Sequence, residues 1–150
     1  MPSVLHSVPT MGPSYGGPFQ SVRRLAQEQT HSDWDVKVRM PWSHEAEAHQ
    51  AEWKPAKCEI NGSISIKALG WSKQIAHDVP LTDCELFHTH GIWMHSSWVA
   101  LAWKRRWQRP HVVSVRGMLE PWAWRYQAWK KRPVWWLLDR RNLRTASLLH

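Results

Sequence analysis

The stretch Glu85-Leu86-Phe87-His88-Thr89-His90-Gly91-Ile92-Trp93 constrains the fold of this chain most. It begins as a short apolar run, gains two histidines one residue apart, and stops at a glycine. Side chains alternate along an extended backbone, so His88 and His90 face one side and Thr89 the other. Gly91 frees the backbone to turn or to approach a ligand closely. From Met94 to Trp107 the apolar spacing is that of a helix. Strand, imidazole pair, glycine, helix is how an open α/β sheet sets chemistry at the carboxyl end of a strand.

The same logic recurs downstream. His111-Val112-Val113-Ser114-Val115 is short and β-branched, and it runs into Arg116-Gly117-Met118-Leu119-Glu120-Pro121, a charged residue, a glycine and a helix opened by proline. Two strand ends then face one crevice. Upstream, Ser3 to Val8 reads as a buried first strand leading into a loop dense in Gly and Pro. Pro18 opens a helix with Val22, Leu25 and Ala26 on its apolar side. Gly12, Gly16 and Gly17 match neither the G-x-G-x-x-G dinucleotide spacing nor a nucleotide P-loop. A Gly-Gly pair before a helix can still aim backbone N–H groups at a phosphate. Asp35–Met40 alternates as a second strand, Pro41–Lys57 reads as a solvated acidic loop, and Glu59–Ile66 as a strand or small hairpin around Asn61-Gly62. Trp71–Ala76 reads as a short helix, Trp122–Asn142 as a cationic helix broken at Pro133, and Leu148-Leu149-His150 as the start of another strand. Strands alternating with helices predict an α/β fold, a Rossmann-like and mainly parallel sheet flanked by helices, with residues 1–150 as one domain.

Composition narrows the setting. No run approaches the ~20 apolar residues that span a bilayer, and the first residues lack the cationic start and apolar core of a signal peptide. The two cysteines, Cys58 and Cys84, read as reduced thiols, so the expected location is cytoplasmic. The net charge of +8 is uneven: Met1–Trp103 holds eight Lys/Arg against ten Asp/Glu, whereas Lys104–His150 holds twelve against two. Such a field attracts anions. Five of the thirteen tryptophans, Trp122, Trp124, Trp129, Trp135 and Trp136, lie among those cations. Some must be core. The rest fit a helix lying on an anionic membrane, so a peripheral membrane contact through 122–144 is expected.

Val4-Leu5-His6-Ser7-Val8-Pro9 with Tyr15-Gly16-Gly17-Pro18, then Leu86 to Trp93, Ser114 to Trp122 and Trp129-Lys130-Lys131-Arg132 closely resemble, in order and separation, the amino-terminal half of family 4 (group 1) glycosyltransferases. Residues 39–74 match nothing in that pattern. The resemblance implies the first, acceptor-side half of a GT-B enzyme, with two Rossmann-like domains facing across a cleft. Such an enzyme passes a sugar from a nucleotide-sugar to a glycan or lipid-linked acceptor with retention of configuration. No metal or other cofactor is expected. Carried over, Gly16 and Gly17 are the loop near the donor diphosphate, and His90 is the catalytic cleft histidine near the transferred sugar. His88, Trp93, Arg116 and Glu120 are acceptor or sugar contacts. The resemblance also implies a missing donor domain, so the chain is expected to be inactive by itself.

Blander readings stand beside these. His88, His90 and His95 form an H-x-H-x4-H set, yet no cysteine or carboxylate cluster supports a metal. His88 fits packing as well as it fits function. His90 is expected to donate to a sugar hydroxyl and, if protonated, to offset diphosphate charge. Arg116 fits an ion pair or a ligand contact. Trp93 fits a sugar ring or the core. A basic, Trp-rich nucleic-acid module is the competing function, but it leaves the glycine-bearing strand ends unexplained, so no nucleic acid is expected.

Overall fold

A computed structural model describes residues 1–66 and 70–150. Six strands form one parallel sheet: β1 (Ser3–Ser7), β2 (Asp35–Met40), β3 (Lys57–Ile60), β4 (Leu86–His90), β5 (His111–Ser114) and β6 (Leu148–Leu149). Their spatial order is β3-β2-β1-β4-β5-β6, every neighbouring pair parallel. The chain winds outward from β1 in one direction, then returns to β4 and winds the other way. The crevice at the β1/β4 reversal is where doubly wound sheets bind ligands.

Alternation along β1 explains both layers. Val4 belongs to a core with Val36, Val38 and Met40 of β2, covered by Phe19, Val22 and Ala26 of α1 (Gly17–His31). Leu5 points the other way, to Phe87 and to Ile75, Val99, Ala100 and Trp103 from α3 (Lys73–Asp78) and α4 (His95–Trp107). Trp53 and Trp103 fill the two layers and are fully buried. Burying side chains of that size contributes roughly 3 kcal/mol each. A third cluster joins Ile92, Trp93 and Val113 to Ala123 of α5 (Pro121–Arg125).

Three stretches differ from their sequence reading. Pro41–Lys57 is not a plain loop: Ser43 accepts from the Ala46 amide at 3.0 Å and caps α2 (His44–Ala48), and a 3-10 turn at Gln50–Trp53 follows. Glu59–Ile66 is not a hairpin. β3 starts two residues earlier, and the chain turns at Gly62, whose φ is +70°. The cationic helix breaks at Gln127 (φ 53°), not at Pro133. Pro133 lies inside α6 (Ala128–Val134), and directly after it the ladder widens into a π-helix, Trp135–Asp139, before α7 (Arg140–Thr145). Cys58 and Cys84 are unpaired, and burial pushes their thiols up to about 12 and 11.

Candidate functional site

Strand register assembles the site. His6 of β1 lies opposite His88 of β4, and His90 follows two residues later on the same face. The His88 and His90 rings stand 4.1 Å apart between centroids, and His6 lies 5.0 and 5.3 Å from them. All three are buried. Arg116, immediately beyond β5, reaches back over the edge. Its Nη2 and Nε sit 3.1 and 3.3 Å from His90 Nδ1, and its Nη1 donates to Ser21 Oγ of α1 at 2.7 Å. The two strand ends therefore share one crevice.

A guanidinium only donates, so His90 Nδ1 must accept. Burial, and then neighbouring His88, His6 and Arg116, hold His90 well below the ordinary imidazole value, so the ring is neutral and its proton sits on Nε2. Nε2 then donates to His6 Nδ1 at 3.0 Å. That leaves the His6 proton on Nε2, which donates to Gln29 Oε1 of α1 at 2.7 Å. Burial pushes His6 down to about 4 and His88 to about 3. His88 Nε2 pairs with Ser114 Oγ at 2.7 Å, and Ser114 Oγ with His150 Nδ1 at 3.0 Å.

One ligand nitrogen from each of His6, His88 and His90 falls within 4.8 Å of the others, the spacing of a cation site. Hydrogen bonds already occupy both His6 nitrogens, His90 Nε2 and His88 Nε2. Coordination through His90 Nε2 would require removing the proton that Arg116 keeps there, beside a fixed positive charge. The chemistry of the donor set is a neutral relay from Arg116 to Gln29. His95, the third histidine of the sequence set, stands outside this trio, buried at the start of α4.

The remaining predicted residues divide. Gly16 and Gly17 are exposed at the amino end of α1, one helical turn before Ser21, with no acidic side chain in the first turn. Their loop is pinned from below: Glu45 accepts from the Ser14 amide at 2.6 Å and hydroxyl at 2.5 Å, and a Cβ on Gly12 would meet Glu45 Cγ at 2.2 Å. Trp93 is buried edge-on to Trp124, 5.4 Å away, with Lys131 Nζ 4.2 Å over its ring. Glu120 stands at the surface in the N-cap position of α5, with no side-chain capping hydrogen bond. Left-handed backbone clusters at both strand ends, at Gly91, Trp93, Arg116 and Gly117. On Trp93 and Arg116, which carry a Cβ, this backbone is costly, and such strain collects where chains present functional groups.

His6 and Gln29 are the members that sequence reasoning missed. His6 lies in the strand that reads as buried, and nothing in the sequence gives Gln29 a role; the β1/β4 register brings His6 to the site, and α1 packed over the sheet brings Gln29 to His6. Of the two roles expected for His90, the one that requires a protonated ring does not apply here: the ring is neutral, and the nitrogen facing Arg116 accepts.

Fold and site together define a doubly wound α/β domain with a cationic, histidine-backed crevice at the switch point. Residues 15–149 match Glycosyltransferase Family 4, and the chain belongs to that family. No curated protein matches it in sequence. Among solved structures it is similar to a Listeria monocytogenes protein provisionally assigned as a UDP-N-acetylglucosamine 2-epimerase. The TM-score is 0.63 at 13% identity, over 99% of this chain and 38% of that one. The likeness is one of fold, and the chain spans well under half the length of that relative.

Proposed function

We propose that this chain is the acceptor-side half of a retaining glycosyltransferase, which takes a sugar from a nucleotide-sugar and passes it to a glycan or lipid-linked acceptor. The observation that carries the reading is the convergence of Arg116, His90 and the exposed amino end of α1 at the switch point. The α1 terminus and the backbone of Gly16-Gly17 suit a diphosphate. Arg116, freed from His90, gives a bidentate contact to phosphate. Its departure exposes His90 Nδ1 as an acceptor for a sugar hydroxyl, with the ring held in orientation through His6 and Gln29. His88 supports from below through Ser114. Glu120, past the β5 end, is the surface carboxylate available to an acceptor. No step in this scheme needs a metal.

Calorimetric titration with a panel of nucleotide-sugars tests the reading. One nucleotide class should bind weakly, and Arg116→Ala should weaken it about tenfold or more, as expected for a lost charge-assisted hydrogen bond. Binding that Arg116→Ala leaves unchanged, or no binding to any of the panel, contradicts it.

A further inference from the structure

The last third of the chain carries a surface that the crevice does not use. From Ala128 to Thr145, α6, the π segment and α7 form one rod, with helical φ and ψ at each junction. Its inner side holds Asp139 and Asn142, both fully buried. Its outer side carries Trp129, Trp136 and Leu137, which are 74%, 65% and 74% exposed. Arg140 and Arg144 continue that stripe at helical spacing. Just before it, α5 and the turn after it expose Trp122 and Tyr126. The indoles thus sort cleanly: Trp124 and Trp135 pack inward, edge to face at 4.9 Å, while Trp122, Trp129 and Trp136 face out.

Charge on this face has one sign. Between residues 121 and 145 the sole carboxylate is Asp139, and it is buried beneath the rod against Ser97 and the Trp93 amide. Arg125, Lys130, Arg132, Arg140, Arg141 and Arg144 form no ion pair among the described residues. Lys130 lies 5.0 Å over the Trp129 ring and Arg140 4.9 Å over Trp136, so cation and indole are presented together. Described helices are all too short and polar to cross a membrane. A short rod with exposed indoles, an exposed leucine and unneutralised cations has the chemistry of an interfacial helix.

We propose that this face docks the domain on an anionic lipid surface, with Trp129, Trp136 and Leu137 at the boundary of head groups and acyl chains and the arginines on lipid phosphates. Charge complementarity selects this occupant. A second copy of the chain would bring six uncompensated cations against six. A nucleic acid would satisfy the arginines but leave Leu137 and Pro133 against phosphate and water. The proposal stands on the rod alone and is independent of the glycosyl-transfer reading.

Sedimentation with sucrose-loaded vesicles tests it, comparing phosphatidylcholine alone with phosphatidylcholine mixed with phosphatidylglycerol. The mixed vesicles should bind the chain at least about tenfold more tightly, and added salt should weaken that binding. Replacing Arg140, Arg141 and Arg144 together by Gln should cost roughly a hundredfold, at about fivefold per cation. Trp129→Ser, Trp136→Ser and Leu137→Ser together should weaken vesicle binding while leaving generic oligonucleotide binding unchanged, with circular dichroism confirming the fold of each variant. Equal binding to both vesicles, binding to neither, or a dimer that buries the indoles overturns the proposal. So does vesicle binding that survives the triple Ser change.

Discussion

Arg116 can only donate, and that one property orders three side chains behind it. His90 accepts at Nδ1 and passes its Nε2 proton toward His6, which passes its own toward Gln29. The relay is neutral because burial opposes charge on every imidazole in it. Stability must therefore depend on pH with a definite sign. The unfolded chain takes up protons at these histidines below about 6.5, whereas the folded chain resists until His6 titrates at about 4. The unfolded state binds more protons in that window, so stability is full above pH about 6.5 and falls toward about 4. Asp35 and Glu45, held below their usual values of 3.8 and 4.5, add to the loss at the acid end of this window, whereas Asp139, pushed above 3.8 by burial, opposes it, so the decline is the excess of the histidines over one carboxyl. Urea unfolding followed across this range should show the midpoint decline, and a flat midpoint between pH 6.5 and 4 would contradict the neutral relay.

At the scale of elements, α4 shows how a local rule and a tertiary demand part company. Its last turn ends at Gln108, exposed and left-handed with φ 54°, followed by Pro110. That position favours glycine. Gln108→Gly should stabilise the domain by about 0.5–1 kcal/mol, because the left-handed strain on a residue with a Cβ is removed. A lowered thermal midpoint would refute the cap assignment. Periodicity made β2 and β4 and the body of α4 legible, since each has one face in a core and the other toward different surroundings. The acidic Pro41–Lys57 stretch hid α2, whose one turn-and-a-half depends on the Ser43 cap rather than on an apolar stripe. Pro133 looked like the break because proline lacks a donor, yet the reversal of backbone sense at Gln127 made the break and α6 runs through the proline. At the site, the pairing of His90 with Arg116 was readable because each ends a strand beside a glycine. His6 and Gln29 were not, because pairing across β1 and β4 is a long-range register that no local pattern encodes.

For the molecule as a whole, the sheet order β3-β2-β1-β4-β5-β6 matters more than any single residue. It reverses between β1 and β4, and that reversal opens the gap into which α1 points its amino end and across which Arg116 reaches. The chain belongs to Glycosyltransferase Family 4, and it shares its fold with a solved structure. The basic tryptophan rod, by contrast, belongs to the outer surface, so the proposed lipid contact and the proposed sugar site occupy separate parts of one domain. The most direct test of the central claim is to map, by amide and histidine side-chain NMR shifts, where a bound nucleotide-sugar sits. The account predicts shifts at Gly16, Gly17, Ser21, His90 and Arg116, with the Arg116 to His90 contact released. Shifts confined to the opposite edge of the sheet, with that contact intact, would contradict it.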